Sequence, residues 1–105
     1  YSSVSGGGSD QAVYGNNAYA DYSSILGGIF NTTGSNDPVN DPDHQVGLRS
    51  TISGGDTNVA VGASSTVSGG VSNTASGNRS AVSGGSNRSV SGDNDWRAGS
   101  QFEDQ

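Results

Sequence analysis

The sequence predicts an all-β fold, a parallel β-roll or β-solenoid of about five 15-residue coils with two loop insertions and a C-terminal cap. Three observations predict it. The glycine pairs Gly54/Gly55, Gly69/Gly70 and Gly84/Gly85 recur with a constant step of 15 residues. The apolar residue two places ahead of each pair, Ile52, Val67 and Val82, keeps the same step, as do Gly62, Gly77 and Gly92. Within the phrase STVSGG at 65–70, alternation puts Val67 on one face and Thr66 and Ser68 on the other, as a half-buried strand requires.

Composition alone points to disorder, since only 29% of the 105 residues are apolar and 18 are glycine. Periodicity argues the other way, because a linker has no reason to hold Ile or Val at a fixed step. Glycine every few residues and the lack of a 3.6-residue period exclude helix. The length leaves room for one domain. A net charge of −6, with four Arg and no Lys, excludes backbone-driven nucleic-acid binding. The absence of Cys excludes disulfides and thiolate metal sites. No apolar run approaches the roughly 18 residues of a span, so membrane insertion of this segment is not expected. No signal peptide is visible, and the opening at Tyr1 in mid-phrase reads as a piece of something longer.

Residues 1–92 read as the repeat array, with insertions at 16–22 and 35–46, and residues 93–105 as a cap or tail. The first coil holds SSVSGG at 2–7, with Val4 in the apolar place, and QAVYG at 11–15 as its second half. The insertion at 16–22 carries Tyr19 and runs into Tyr22. The second coil, SSILGGIFNTTG at 23–34, keeps Ile25 and a glycine pair but has Leu26, Ile29 and Phe30 at normally polar places. Those three predict a second buried surface, either a subunit contact or the packing site of a loop. The insertion at 35–46, SNDPVNDPDHQV, holds both prolines, each after an Asp, which favours turns over strand pairing. Three regular coils follow. In the last segment Trp96 is placed to cover the open end of the stack.

Each coil reads as two short strands and two turns. Gly54/Gly55, Gly69/Gly70 and Gly84/Gly85 make one turn, and Gly62-type glycines with Asn make the other, where positive φ is tolerated. The lane Val4, Ile25, Ile52, Val67, Val82 faces inward. So thin an interior needs continuous backbone ladders, stacked Asn and Ser rows and a subunit interface, which predicts an oligomer.

The phrase SxVSGGxxNxAxG, present at 65–77 and varied in the other coils, resembles the head repeats of trimeric autotransporter adhesins of the YadA type. The ending NRSVSGDNDWRAG at 87–99 resembles the close of repeat arrays in exported bacterial proteins. Here the core phrase is VSGG, where the family's commonest cores read NSVAIG. The resemblance implies a left-handed parallel β-roll, a homotrimer, and a place on the bacterial cell surface or a surface filament. It further implies a non-enzymatic adhesive module meeting a host-surface, matrix or glycan ligand. The alternative is a receptor- or glycan-binding module of a phage tail fibre or spike.

Candidate chemistry sits where the 15-residue step breaks. Asp37, Asp41 and Asp43 are the densest group of carboxylates, and with Asn36, Asn40 and His44 they read as a calcium-type cation site or as a solvated acidic turn. Tyr19, Tyr22, Asn40 and His44 are the candidate ligand-binding residues, with aromatic rings to stack on sugars and polar groups to bond hydroxyls. No catalytic residue is assigned: His44 is the only imidazole and no nucleophile signature accompanies it. Apart from calcium, no cofactor is expected.

Overall fold

The structure, a computed structural model, describes residues 1–7, 15–37 and 39–103. It is all-β, with no helix among the described residues. Twelve short strands alternate between two walls: β1 (Ser3–Val4), β2 (Asn17–Ala18), β3 (Ser24–Ile25), β4 (Thr32–Thr33), β5 (Thr51–Ile52), β6 (Val59–Ala60), β7 (Thr66–Val67), β8 (Thr74–Ala75), β9 (Ala81–Val82), β10 (Ser89–Val90), β11 (Trp96–Ala98) and β12 (Gln101–Glu103). One sheet runs β1-β3-β5-β7-β9-β11-β12 and the other β10-β8-β6-β4-β2. Every pairing is parallel except β11 with β12. The result is a solenoid-like stack measuring 36 × 29 × 19 Å.

Alternation along each strand decides what goes inside. Ile25, Ile52, Val67 and Val82 stack in register from the odd-numbered sheet and are fully buried. Thr33, Ala60, Ala75 and Val90 do the same from the even-numbered sheet. Val4 pairs with Ile25 but remains partly exposed at the end of its lane. Two polar lanes complete the interior, Ser23/Ser50/Ser65/Ser80 and Asn31/Asn58/Asn73. A core of this kind is held as much by hydrogen bonds as by apolar contact.

The asparagines form a continuous ladder. Asn16 Oδ1 accepts from the Asn31 amide, Asn31 Oδ1 from Asn58, Asn58 Oδ1 from Asn73 and Asn73 Oδ1 from Arg88, all at 2.9–3.0 Å. Each interior Nδ2 donates to two glycine carbonyls, one in its own coil and one in the next, as Asn58 does to Gly54 and Gly70. Each interior carboxamide thus pairs the amide of the next rung and the glycine carbonyl of its own turn, and adds a second donor to a carbonyl of the next coil that already accepts a backbone amide.

That ladder relocates the first irregularity. Residues 16–22 are not an insertion: Asn16 is a rung, Asn17–Ala18 form β2 against β4, and Ala20 is fully buried. The extra residues of this coil lie between Gly7 and Asn16, and the expected second half at 11–15 falls outside the described residues except Gly15. Register follows the Asn that stacks on Asn31, not the glycine that mimics Gly62. The chain leaves the coil after Gly34 and resumes it at Gly47. Gly34 N still bonds Ala60 O before the excursion, and Ser50 N bonds Gly47 O after it.

The turns differ from expectation at one corner. Gly62 and Gly77 do not have positive φ. A Cβ on Gly62 would run into the carbonyl of Gly77 in the next coil, so glycine is required there by close approach. Positive φ falls two residues later, on Ser64, Arg79 and Asn94.

At the opposite corner Gly55, Gly70 and Gly85 do adopt positive φ, +94°, +91° and +105°, and Thr57 shares it at 56°. All three glycines are exposed, so they shape the turn from outside and add nothing to the buried lanes. Gly85 further departs from the equivalence that the constant step suggests. A Cβ on Gly55 or Gly70 would strike the glycine carbonyl of the next coil, whereas one on Gly85 would meet only the Arg88 side chain and Gly99 Cα, each at 3.3 Å. No further Gly-Gly corner stacks on this one, and Gly85 is held to glycine by its φ alone.

Trp96 is not the cap. Its register partner is Ala81, which places it on the outer row, and it stays 40% exposed. Arg97 pairs with Val82 and takes the interior lane instead, donating Nη1 to Ser89 O. The edge of the odd-numbered sheet is covered by β12, whose hairpin turns through Gly99 with φ +55°.

Candidate binding surfaces

The 35–46 loop is built on carboxylates that bind its own backbone. Asp37 Oδ1 accepts from the amides of Val39 and Asn40 at 2.9 and 3.1 Å, and its Oδ2 accepts from Asn40 Nδ2 at 2.6 Å. The Asn40 side chain first, then the two amides, holds the Asp37 carboxyl below its ordinary pKa. Asp41, nearly buried, receives Gln45 and Val46 amides on Oδ1 at 2.7 and 3.1 Å. Its Oδ2 is buried without a hydrogen-bond partner. Asp43 contributes its backbone carbonyl to Gln45 Nε2.

Asp37, Asp41 and Asp43 therefore do not converge. Among the described residues no three His, Asp or Glu side chains form a group that could hold a metal ion. Asx-type turns occupy both Asp37 oxygens and Asp41 Oδ1 with the loop's own donors.

Of the candidate ligand-binding residues, Asn40 is tied to Asp37, and His44 bonds through its backbone, accepting from Asp21 N at 3.1 Å. Tyr19 follows β2 on the even-numbered sheet, with its amide on Thr33 O. Tyr22 lies at the corner that leads into β3, with φ +59°. No hydrogen bond or ring contact joins these four side chains. His44 is exposed, and among the described residues no side-chain hydrogen bond links it to a serine or aspartate.

What the structure does bring together is a row that sequence reading missed. Tyr22 N bonds Tyr1 O, Arg49 N bonds Asp21 O, Ser64 N bonds Leu48 O, Arg79 N bonds Ala63 O, and Asn94 N bonds Asn78 O. These αL residues form one line along the margin of the odd-numbered sheet. The signal was available as the same step of 15 through 49, 64, 79 and 94. Beside the line run Ser3, Ser24, Thr51, Thr66, Ala81 and Trp96 in register. At one end Tyr1, Ser2, Ser3, Tyr22, Ser23 and Ser24 enclose an open groove of about 400 Å³. The Tyr1 and Tyr22 rings stand 5.9 Å apart at 31°. At the far end the Trp96 indole donates Nε1 to Ser83 Oγ at 2.7 Å.

A second surface is apolar. Leu26 is 55% exposed, and Phe30 and Val71 are exposed near it at the Gly-Gly corner. Ile29, Asp56, Val71 and Ser86 are linked there by single bridges from coil to coil. Of the three apolar residues Leu26, Ile29 and Phe30, Leu26 and Phe30 keep exposed surface while Ile29 is half-buried.

Compared with known proteins, the chain matches no family model, no curated sequence and no solved structure.

Proposed function

We propose that this chain is a non-enzymatic adhesive module of about five stacked coils, working outside the cell on a bacterial surface or filament as a homotrimeric head. The observation that supports this best is the Gly-Gly corner, where Leu26, Phe30 and Val71 are among the large apolar side chains left exposed. Apolar side chains clustered on such a surface favour contact with another copy. A stack of ladders is also stiff, which suits a spacer that must hold a contact surface away from its support.

Solution mass tests the reading. Light scattering on the wild-type chain is expected to give three chains per particle. Leu26→Asp combined with Val71→Asp should reduce that to one with the β-sheet circular dichroism retained. A wild-type chain that stays monomeric at high concentration overturns the trimer. Failure of immobilised wild-type protein to retain any surface ligand overturns adhesion.

A further inference from the structure

The margin of the odd-numbered sheet carries four features that point to one kind of ligand. The Tyr22 ring is 61% exposed and lines the groove with Tyr1. Arg49 and Arg79, both exposed, project from the αL line two coils apart, about 10 Å at the spacing of paired strands. Ser24, Thr51 and Thr66 carry hydroxyls along the outer row, Ala81 precedes Trp96 in it, and Ser53, Ser68 and Ser83 are exposed in the row beyond, Ser83 accepting from the Trp96 indole. Trp96 lies at the other end, five strand steps or about 24 Å from Ser3.

We propose that this margin, from Tyr22 past Arg49 and Arg79 to Trp96, is a track for an extended oligosaccharide bearing carboxylates. Aromatic faces stack on pyranose rings, and an array of hydroxyls can both donate to and accept from sugar hydroxyls. The arginines set the sign of the ligand. In a chain of net charge −6 two of the four arginines lie on this line, and of the acids that flank it Asp21 is paired with the Tyr1 ammonium, Asp93 accepts from the Asn78 amide and Asp95 is buried. Arg79 is oriented by its Nε bond to Asn94 Oδ1 at 2.8 Å, while the Arg49 guanidinium makes no hydrogen bond or ion pair with a described residue. A guanidinium so placed matches a carboxylate in two-pronged geometry.

A peptide fits this surface less well. Strand addition needs a free edge, and the strands beneath the track already have neighbours on both sides from β3 to β11. The inference rests on the adhesive reading and names the ligand class that such a module would hold.

The test is a titration of the isotope-labelled full chain with oligogalacturonate, and with its methyl ester as the neutral control. Amide shifts are expected to trace the line through Tyr22, Arg49, Arg79 and Trp96, with the ester binding at least tenfold more weakly. Asn tolerates αL geometry, so Tyr22→Asn and Arg49→Asn remove side chains with little backbone strain. Arg49→Asn should cost about tenfold toward the acid and nothing toward the ester, while Tyr22→Asn should weaken both. No shifts along the line, unchanged affinity in Tyr22→Asn, or equal binding of poly-glutamate overturns the proposal. The wild-type solution mass and retention on other surfaces are read separately, so a negative titration leaves the trimeric adhesive reading intact.

Discussion

Asn58 Oδ1 accepts the backbone amide of Asn73 at 3.0 Å, and the same carboxamide spans the two coils by donating to Gly54 O and Gly70 O. One fully buried side chain thus holds three backbone groups, the buried Asn73 amide among them, while Gly70 O also accepts from the Asp56 amide. Asn58→Ala is expected to destabilise the fold by about 3 kcal/mol, most of it the cost of the orphaned groups. Ser68→Ala, on the exposed outer row, should change stability by less than about 0.5 kcal/mol. Urea unfolding of both variants checks the contrast.

Gly62 is constrained by its neighbour rather than by its φ. Gly62→Ala drives a methyl into the Gly77 carbonyl and must push two coils apart. A loss of about 3 kcal/mol is expected, at the upper end for overpacking. Faster hydrogen exchange at residue 62 and at Ser65, whose amides bond Ala75 O in the next coil and Gly62 O beside the corner, would locate the damage.

The loop has its own pH dependence. Because the folded Asp37 pKa is depressed, its contribution to loop order is fully present above the ordinary carboxylate pKa. It is lost as pH falls through the lower, folded value. The Val39 and Asn40 amides should therefore shift together with the Asp37 carboxyl, with a shared midpoint below 3.8. In Asp37→Asn those amides should show no such transition.

Calcium should leave the molecule unchanged. Asp37 spends both oxygens on Val39 and Asn40, and Asp41 spends one on Gln45 and Val46. Equal melting temperatures in millimolar calcium and in chelator are expected. A rise of several degrees with calcium would reopen the cation reading.

The regular coils were legible because one residue type recurs at each position, so Ile52, Val67 and Val82 declare their lane. The first coil was not, because Gly15 imitates Gly62 while the register is set by Asn16, and an Asn at a turn has many other uses. Trp96 misled by its size. A bulky ring suggests a lid, yet alternation continued from Thr66 and Ala81 sends it outward and turns Arg97 in. Gly85 repeats the letters of Gly55 and Gly70, but what stacks on it is decided a coil later, where Gly99 stands in place of another glycine pair. The αL line escaped because Arg49, Ser64 and Arg79 have no intrinsic taste for positive φ. Tertiary bonding to the coil before imposes it, so only the step of 15 could have disclosed the row.

Arg88 occupies the next rung after Asn73 and takes its Oδ1 at 2.9 Å, but a guanidinium has no acceptor to pass onward. The relay of carboxamides therefore stops there, and after β10 and β11 the last strand, β12, runs backwards across the neighbouring edge. A parallel stack with matching ends could otherwise add copy upon copy into an open fibre. The same chemistry that lets one coil template the next is interrupted at this end by a single change of side chain, while β12 occupies the neighbouring edge.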